Sequence, residues 1–79
     1  MTSAALDQSH PSALHTALLA AHDAGDGPGM VALYTEAADR EPEMDAEMFF
    51  LTQAYIFALE AGDPRAAGLR ARLRAAGRI

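Results

Sequence analysis

The chain contains no cysteine, no lysine and no asparagine. Without cysteine it forms neither disulfides nor thiolate metal sites. A single domain of 79 residues must then hold itself together by packing or by association, because one core of this size supplies only about 3–5 kcal/mol. The missing lysine leaves arginine as the only basic side chain beside 19 alanines, a bias that points to a GC-rich bacterial coding genome. Positive charge is scarce, with six arginines against eleven acids and a net charge of −5. That balance disfavours general binding to nucleic acid or anionic membranes. Residues 1–8 lack the basic start and apolar stretch of a secretory signal. No run of 18 apolar residues occurs, so no membrane span is expected, and the cytoplasm is the expected compartment.

What the chain does have is a repeat. Ala24-Gly25-Asp26 recurs as Ala61-Gly62-Asp63, 37 residues later, and a proline follows each copy within two residues. The matching extends backwards at the same offset: Leu14 with Leu51, Ala17 with Ala54, Leu19 with Ile56, Ala21 with Ala58 and Asp23 with Glu60. Periods in this range mark stacked helical units. Each unit reads as helix, Gly-Asp turn, helix.

Residues 1–8 read as a flexible arm, and residues 9–79 as one helical-repeat domain. Ser9 or Ser12 supplies the first N-cap, with Pro11 in the first turn. Leu14, Ala17, Leu18 and Ala21 follow the helical apolar rule, and Gly25 ends helix one as the left-handed residue. Helix two starts near Pro28, buries Met30, Leu33, Tyr34 and Ala37, and ends around Arg40-Glu41 before Pro42. Helix three begins in the acidic stretch Glu43–Glu47, whose charges complement the helix dipole. From Met48 to Leu59, ten of twelve residues are apolar or aromatic. A helix apolar on all sides is expected to be buried on all sides, at the centre of the fold or in a subunit interface. Asp63 and Pro64 are suited to N-cap and N1 of helix four, expected from Arg65 to about Ala76 with Gly77 as its stop. Leu69 and Leu73 should face inward, with Ala66 and Ala76 beside them. Short connections predict antiparallel neighbours.

These residues resemble a tetratricopeptide-type repeat over residues 11–79. In the first unit Leu14, Ala17, Leu18 and Ala21 fit the first helix, Gly25-Asp26 the turn, and Tyr34, Ala37 and Pro42 the second helix. The second unit keeps Leu51, Ala54, Ala58, Gly62-Asp63 and Ala67. It departs at Ala71 and Arg74, and the first unit departs at Met30. Leu18 and Tyr55 stand where the family prefers small residues. The spacing of 37 exceeds the family's roughly 34, with the extra residues falling near Asp45-Ala46-Glu47. The resemblance implies an all-α fold of four antiparallel helices, arranged as two stacked helical hairpins. It also implies a binding face on the first helix of each unit: Ser12, His15, Leu19, His22 and Asp23, then Phe49, Thr52, Ile56, Leu59 and Glu60.

Spacing alone places His15, Leu19 and His22 on one stripe beside the core stripe of helix one. It places Phe49, Thr52, Ile56 and Leu59 on a similar stripe of helix three. So much apolar surface needs cover. A homodimer with two-fold symmetry is the first expectation. A partner helix laid into the groove is the second, and helix four or the arm folding over the strip is the third. The expected function is a small protein–protein interaction module, an adaptor or regulatory subunit, whose contact residues are His15, Leu19, His22, Phe49, Thr52, Ile56 and Leu59.

Other chemistries are weaker. His15 and His22 are two turns apart, about 10 Å, whereas histidines that share a metal on a helix sit three or four apart. No metal and no cofactor is expected. Ser3, Ser9 and Ser12 lack a nucleophile turn, and Glu36, Asp39, Glu41, Glu43, Asp45 and Glu47 read as a solvated acidic run, so no enzymatic activity is expected. Arg70, Arg74 and Arg78 recur every four residues and could hold an anion. They carry the alternative reading, a nucleic-acid-binding helical bundle, although no aromatic is interleaved for base stacking.

Overall fold

The computed structural model describes residues 9–79, and side-chain surroundings from residue 13 onward. The expected arm and the expected caps Ser9 and Ser12 therefore fall outside the described side chains. Among the described residues the chain is all-helical, with no strand. Its elements are α1 (Ser9–Ala24), α2 (Gly27–Arg40), α3 (Met44–Ala61) and α4 (Ala66–Ala75).

Local chemistry sets these boundaries. Gly25 has φ +65°, and its N–H donates to the His22 carbonyl at 3.1 Å while the Asp26 N–H donates to Ala21 at 2.9 Å. The end of α3 is built the same way. Gly62 has φ +63°, Gly62 donates to Leu59 at 3.2 Å and Asp63 donates to Ala58 at 2.8 Å. In each case a left-handed glycine turns the last N–H groups back onto carbonyls that would otherwise be orphaned. The α2 terminus has no glycine; Glu41 turns extended, φ −86° and ψ 119°, as the residue before a proline prefers.

The N-termini are capped by acids. Asp26 Oδ1 accepts from the Gly29 N–H at 2.9 Å, and Glu43 Oε1 accepts from the Ala46 N–H at 3.2 Å. At α4 the expectation needs correction. The helix starts at Ala66, one residue late, and Arg65 occupies the cap position without a side-chain cap bond. Asp63 instead closes the preceding turn: Oδ1 accepts from the Arg65 N–H at 2.9 Å, and its carbonyl accepts from the Ala66 N–H at 3.0 Å.

Each helix packs on its neighbours in sequence: α1 on α2, α2 on α3, α3 on α4. Among the described residues no Cα of α1 comes within 8 Å of one in α3. The molecule measures 44 × 29 × 12 Å, a slab too thin to wrap its helices on all sides. The core runs along the seams, through Val31 and Ala38 of α2, Met48, Leu51, Ala54 and Ala58 of α3, and Leu69 and Leu73 of α4. The α2–α3 seam is built from small residues, so the two backbones come close. A Cβ on Gly27 would lie 3.3 Å from the Ala61 Cβ.

Three burial expectations change. Helix α2 buries Val31 and Ala38 as well as Met30 and Ala37, while Leu33 and Tyr34 are half-buried. A helix with neighbours on two sides needs two apolar stripes. On α1 only Ala21 is buried, and Leu14, Ala17 and Leu18 are half-buried, because α1 has a single neighbouring helix. Helix α3 does lie between two others, but it is not buried all round: Phe49, Ile56 and Leu59 are exposed.

Candidate interaction face

Helix α3 makes this face by having more apolar sides than neighbours. Leu51, Ala54 and Ala58 point into the seams. Phe49, Ile56 and Leu59, spaced seven and three residues apart, share another side of the helix. They remain 58%, 42% and 57% exposed with α4 in place, so α4 does not fold over them. Thr52 lies among them, half-buried. Its hydroxyl donates to the Met48 carbonyl at 2.8 Å, which satisfies the polar group locally and leaves the side chain free to line an apolar surface.

The residues expected on α1 have different surroundings. His22 is exposed and joins an aromatic group with Tyr34 and Phe57. Its Nε2 shares a hydrogen bond with the Tyr34 hydroxyl, 3.0 Å away. Its ring meets Phe57 edge-on at 5.5 Å, and Tyr34 stacks on Phe57 at 5.7 Å with 9° between the planes. His22 is thus the point where α1 touches α3. Leu19 is 53% exposed. His15 lines a cleft of about 450 Å³ with Leu14, Leu18, Ala37, Arg40, Glu41 and Phe50. The cleft runs beside Leu14 and Leu18 of α1, which are half-buried. Sequence periodicity singled out His22 but could not show its role, since that depends on Tyr34 and Phe57, which lie 12 and 35 residues further along the chain.

The arginines of the C-terminal segment divide by flank. Arg72 Nη2 donates to Asp39 Oδ1 of α2 at 2.9 Å and lies 3.6 Å from Glu47 Oε2 of α3. Arg78 donates to Asp45 Oδ1 of α3 at 2.8 Å. The acidic run is therefore partly neutralised by α4 and the residues after it. Arg70 and Arg74 are exposed and form no ion pair among the described residues. Of the three arginines expected to hold an anion, Arg78 is already engaged. Leu69 and Leu73 mark the buried side of α4, and at roughly 100° per residue Arg72 falls on one flank while Arg70 and Arg74 fall on the other.

The largest electrostatic perturbation lies at a turn, away from the apolar strip. The side-chain bonds from Arg65 hold the Asp63 carboxyl down at about 2, helped by the Arg65 backbone N–H. Asp63 raises the Arg65 guanidinium in return. Arg65 Nη2 lies 2.6 Å from Asp63 Oδ2. This is a structural turn, with no cluster of titrating groups around it.

Among the described residues no group of three or more histidines and acids is placed to hold a metal ion. None of the described helices is long and apolar enough to cross a membrane. No protein-family model matches the chain, and neither a curated protein nor a solved structure resembles it significantly.

Proposed function

We propose that this chain is a protein–protein interaction module whose α3 face is buried against another helix, supplied by a second copy or by a partner. The observation that carries this reading is the exposure of Phe49, Ile56 and Leu59 on the helix at the centre of the fold. Three large apolar side chains on one stripe are costly to leave in water: each is about half exposed, so covering it would recover roughly half of the 1.5–3 kcal/mol that burying a fully exposed side chain gives. With Thr52 between them, they stand at i, i+3, i+7 and i+10 on one side of the helix, the spacing of a helix docking surface.

In this reading the four helices form two antiparallel hairpins stacked as tetratricopeptide-like repeats. Three contacts support the arrangement. Arg78, beyond the end of α4, reaches Asp45 in the first turn of α3. Arg65 in the second turn reaches Pro28 after the first, 37 residues away. His22 near the end of one first helix meets Phe57 of the next. The module acts as an adaptor or regulatory subunit in the cytoplasm, without catalysis of its own. The alternative, nucleic-acid binding through the arginines, has less support, because Arg72 and Arg78 are engaged with acids and the net charge is −5.

The test is glutamate at Phe49 or Ile56. Both side chains are exposed, so Phe49→Glu and Ile56→Glu should keep wild-type helicity by circular dichroism and lose association, read by light scattering or by helix-peptide binding. Retained association in both folded variants would sink the proposal.

A further inference from the structure

The repeat shows where on α3 the next helix belongs. At the offset of 37, His22 corresponds to Leu59, Leu19 to Ile56 and His15 to Thr52. In the first unit His22 makes the contact with the following first helix, through Phe57. In the second unit Leu59 and Ile56 occupy the equivalent places and are exposed. They mark the seat of a helix that the described residues do not supply. In a stacked repeat each unit is covered only by its neighbour, so such a seat stays open wherever no further unit is packed on it.

The second helix of the unit forms the other wall of that seat. Arg72 identifies the flank of α4 that faces α2, because it pairs with Asp39 there. Arg70 and Arg74 project from the opposite flank, the one away from α2. On α3, Ala54 and Ala58 lie on the close seam with α2, and Leu59, Thr52 and Ile56 lie on the far side of Leu51 from it by helical phase. By helical phase the apolar strip and Arg70 and Arg74, which form no ion pair among the described residues, therefore turn to the same side of the α3–α4 pair. Arg78, whose partner Asp45 is in the first turn of α3, closes one end.

We propose that the occupant of that seat is an amphipathic helix with acidic side chains, seated where a third repeat would begin. Its apolar face covers Ile56 and Leu59, and its carboxylates meet Arg70 and Arg74. This rests on the interaction-module reading above and adds the chemistry of the partner. Charge complementarity selects the occupant: the cations of this helix that form no ion pair among the described residues stand on the side of the apolar strip. A second copy is a poorer match in a head-to-tail stack. The residues of α1 equivalent to Phe50 and Phe57 are Ala13 and Ala20, too small to fill the seat. Rim charges contribute modestly to affinity and more to partner choice and association rate.

The experiment uses the full chain and three designed 18-residue helical peptides. They share one leucine face and carry glutamate, glutamine or lysine on its flanks. Fluorescence anisotropy at low salt should show the glutamate peptide binding about five- to tenfold tighter than the glutamine peptide, as expected for two rim ion pairs. The lysine peptide should bind weakest. In Arg70→Glu/Arg74→Glu, both positions being exposed, helicity should persist and the order of the peptides should reverse. Raising salt should shrink the difference.

Equal affinity for the glutamate and glutamine peptides, both abolished by Ile56→Glu, would overturn the acidic partner and leave the interaction face standing. Peptide binding unaffected by Ile56→Glu would overturn both. No binding of any peptide, with light scattering showing a dimer lost in Ile56→Glu, would replace the acidic helix with a second copy. No binding by a monomer would overturn the proposal outright.

Discussion

Arg65 donates from Nη2 to the carbonyl oxygen of Pro28 at 3.0 Å, across 37 residues of chain. The separation equals the repeat offset, and the bond joins the two Gly-Asp turns of the molecule. The same guanidinium is oriented by Asp63, through Nε–Oδ1 at 3.0 Å and Nη2–Oδ2 at 2.6 Å. Replacing Arg65 by alanine should lower the melting temperature slightly, and replacing it by lysine should restore little, because an ammonium cannot bridge a carboxylate and a carbonyl in this planar geometry. A thermal melt of both variants checks this. Full rescue by lysine would show that charge alone matters.

Asp63 gives a pH dependence with a defined sign. Its carboxyl is lowered from 3.8 to about 2 in the folded chain. A lowered acid stabilises the fold while it is ionised, so its contribution is present above pH 4 and is lost as pH falls through about 2. Asp63→Asn should flatten the fall in melting temperature between pH 4 and pH 2. Melts across that range measure it, and parallel curves for the two proteins would contradict the assignment.

The aromatic group that holds α1 to the rest should be more sensitive at Phe57 than at Tyr34. Tyr34→Phe removes the hydroxyl shared with His22 and keeps the stack, which predicts a loss of about 0.5–1.5 kcal/mol. Phe57→Ala removes both ring contacts from a half-buried position and should cost about 2–3 kcal/mol, below the range for a fully buried ring. Urea denaturation reads both, and amide exchange in α1 should accelerate most in the Phe57 variant.

Close packing of α2 on α3 leaves no room at Ala58, which is fully buried. Ala58→Leu adds three carbons to a seam that cannot widen without moving a backbone, at a cost of about 1–3 kcal/mol or more. Leu51→Ala opens a cavity in the same core and should cost about 2–5 kcal/mol. Against a total of about 3–5 kcal/mol for a domain of this size, each variant should be partly unfolded at 37 °C by circular dichroism. Wild-type melting of Ala58→Leu would mean the seam is looser than the packed alanines indicate.

The turns were the most legible part of the chain, because their causes are local. Gly25 and Gly62 turn the chain with positive φ, and Pro42 ends α2 through the residue before it. Each depends on neighbours within about five residues. The start of α4 was misjudged by one residue because Asp63 can close either a turn or a helix, and its bond to Arg65 selects the turn. Burial was less legible. Val31 and Ala38 entered the core only because α2 has α3 on its second side. The hydrophobicity of α3 signalled its central place but not the uncovered stripe, since composition does not say how many neighbours a helix will have.

The sequence by itself determined the helices, their order, their turns and the apolar stripe Phe49, Ile56 and Leu59, all consequences of backbone preferences and side-chain spacing along one segment. Only the tertiary structure decided that His22 would meet Tyr34 and Phe57, that Arg72 would find Asp39 33 residues away, and that Arg70 and Arg74 would form no ion pair among the described residues. The difference is physical: a helix fixes directions around its own axis, whereas a partner for each direction exists only once the other helices have taken their places.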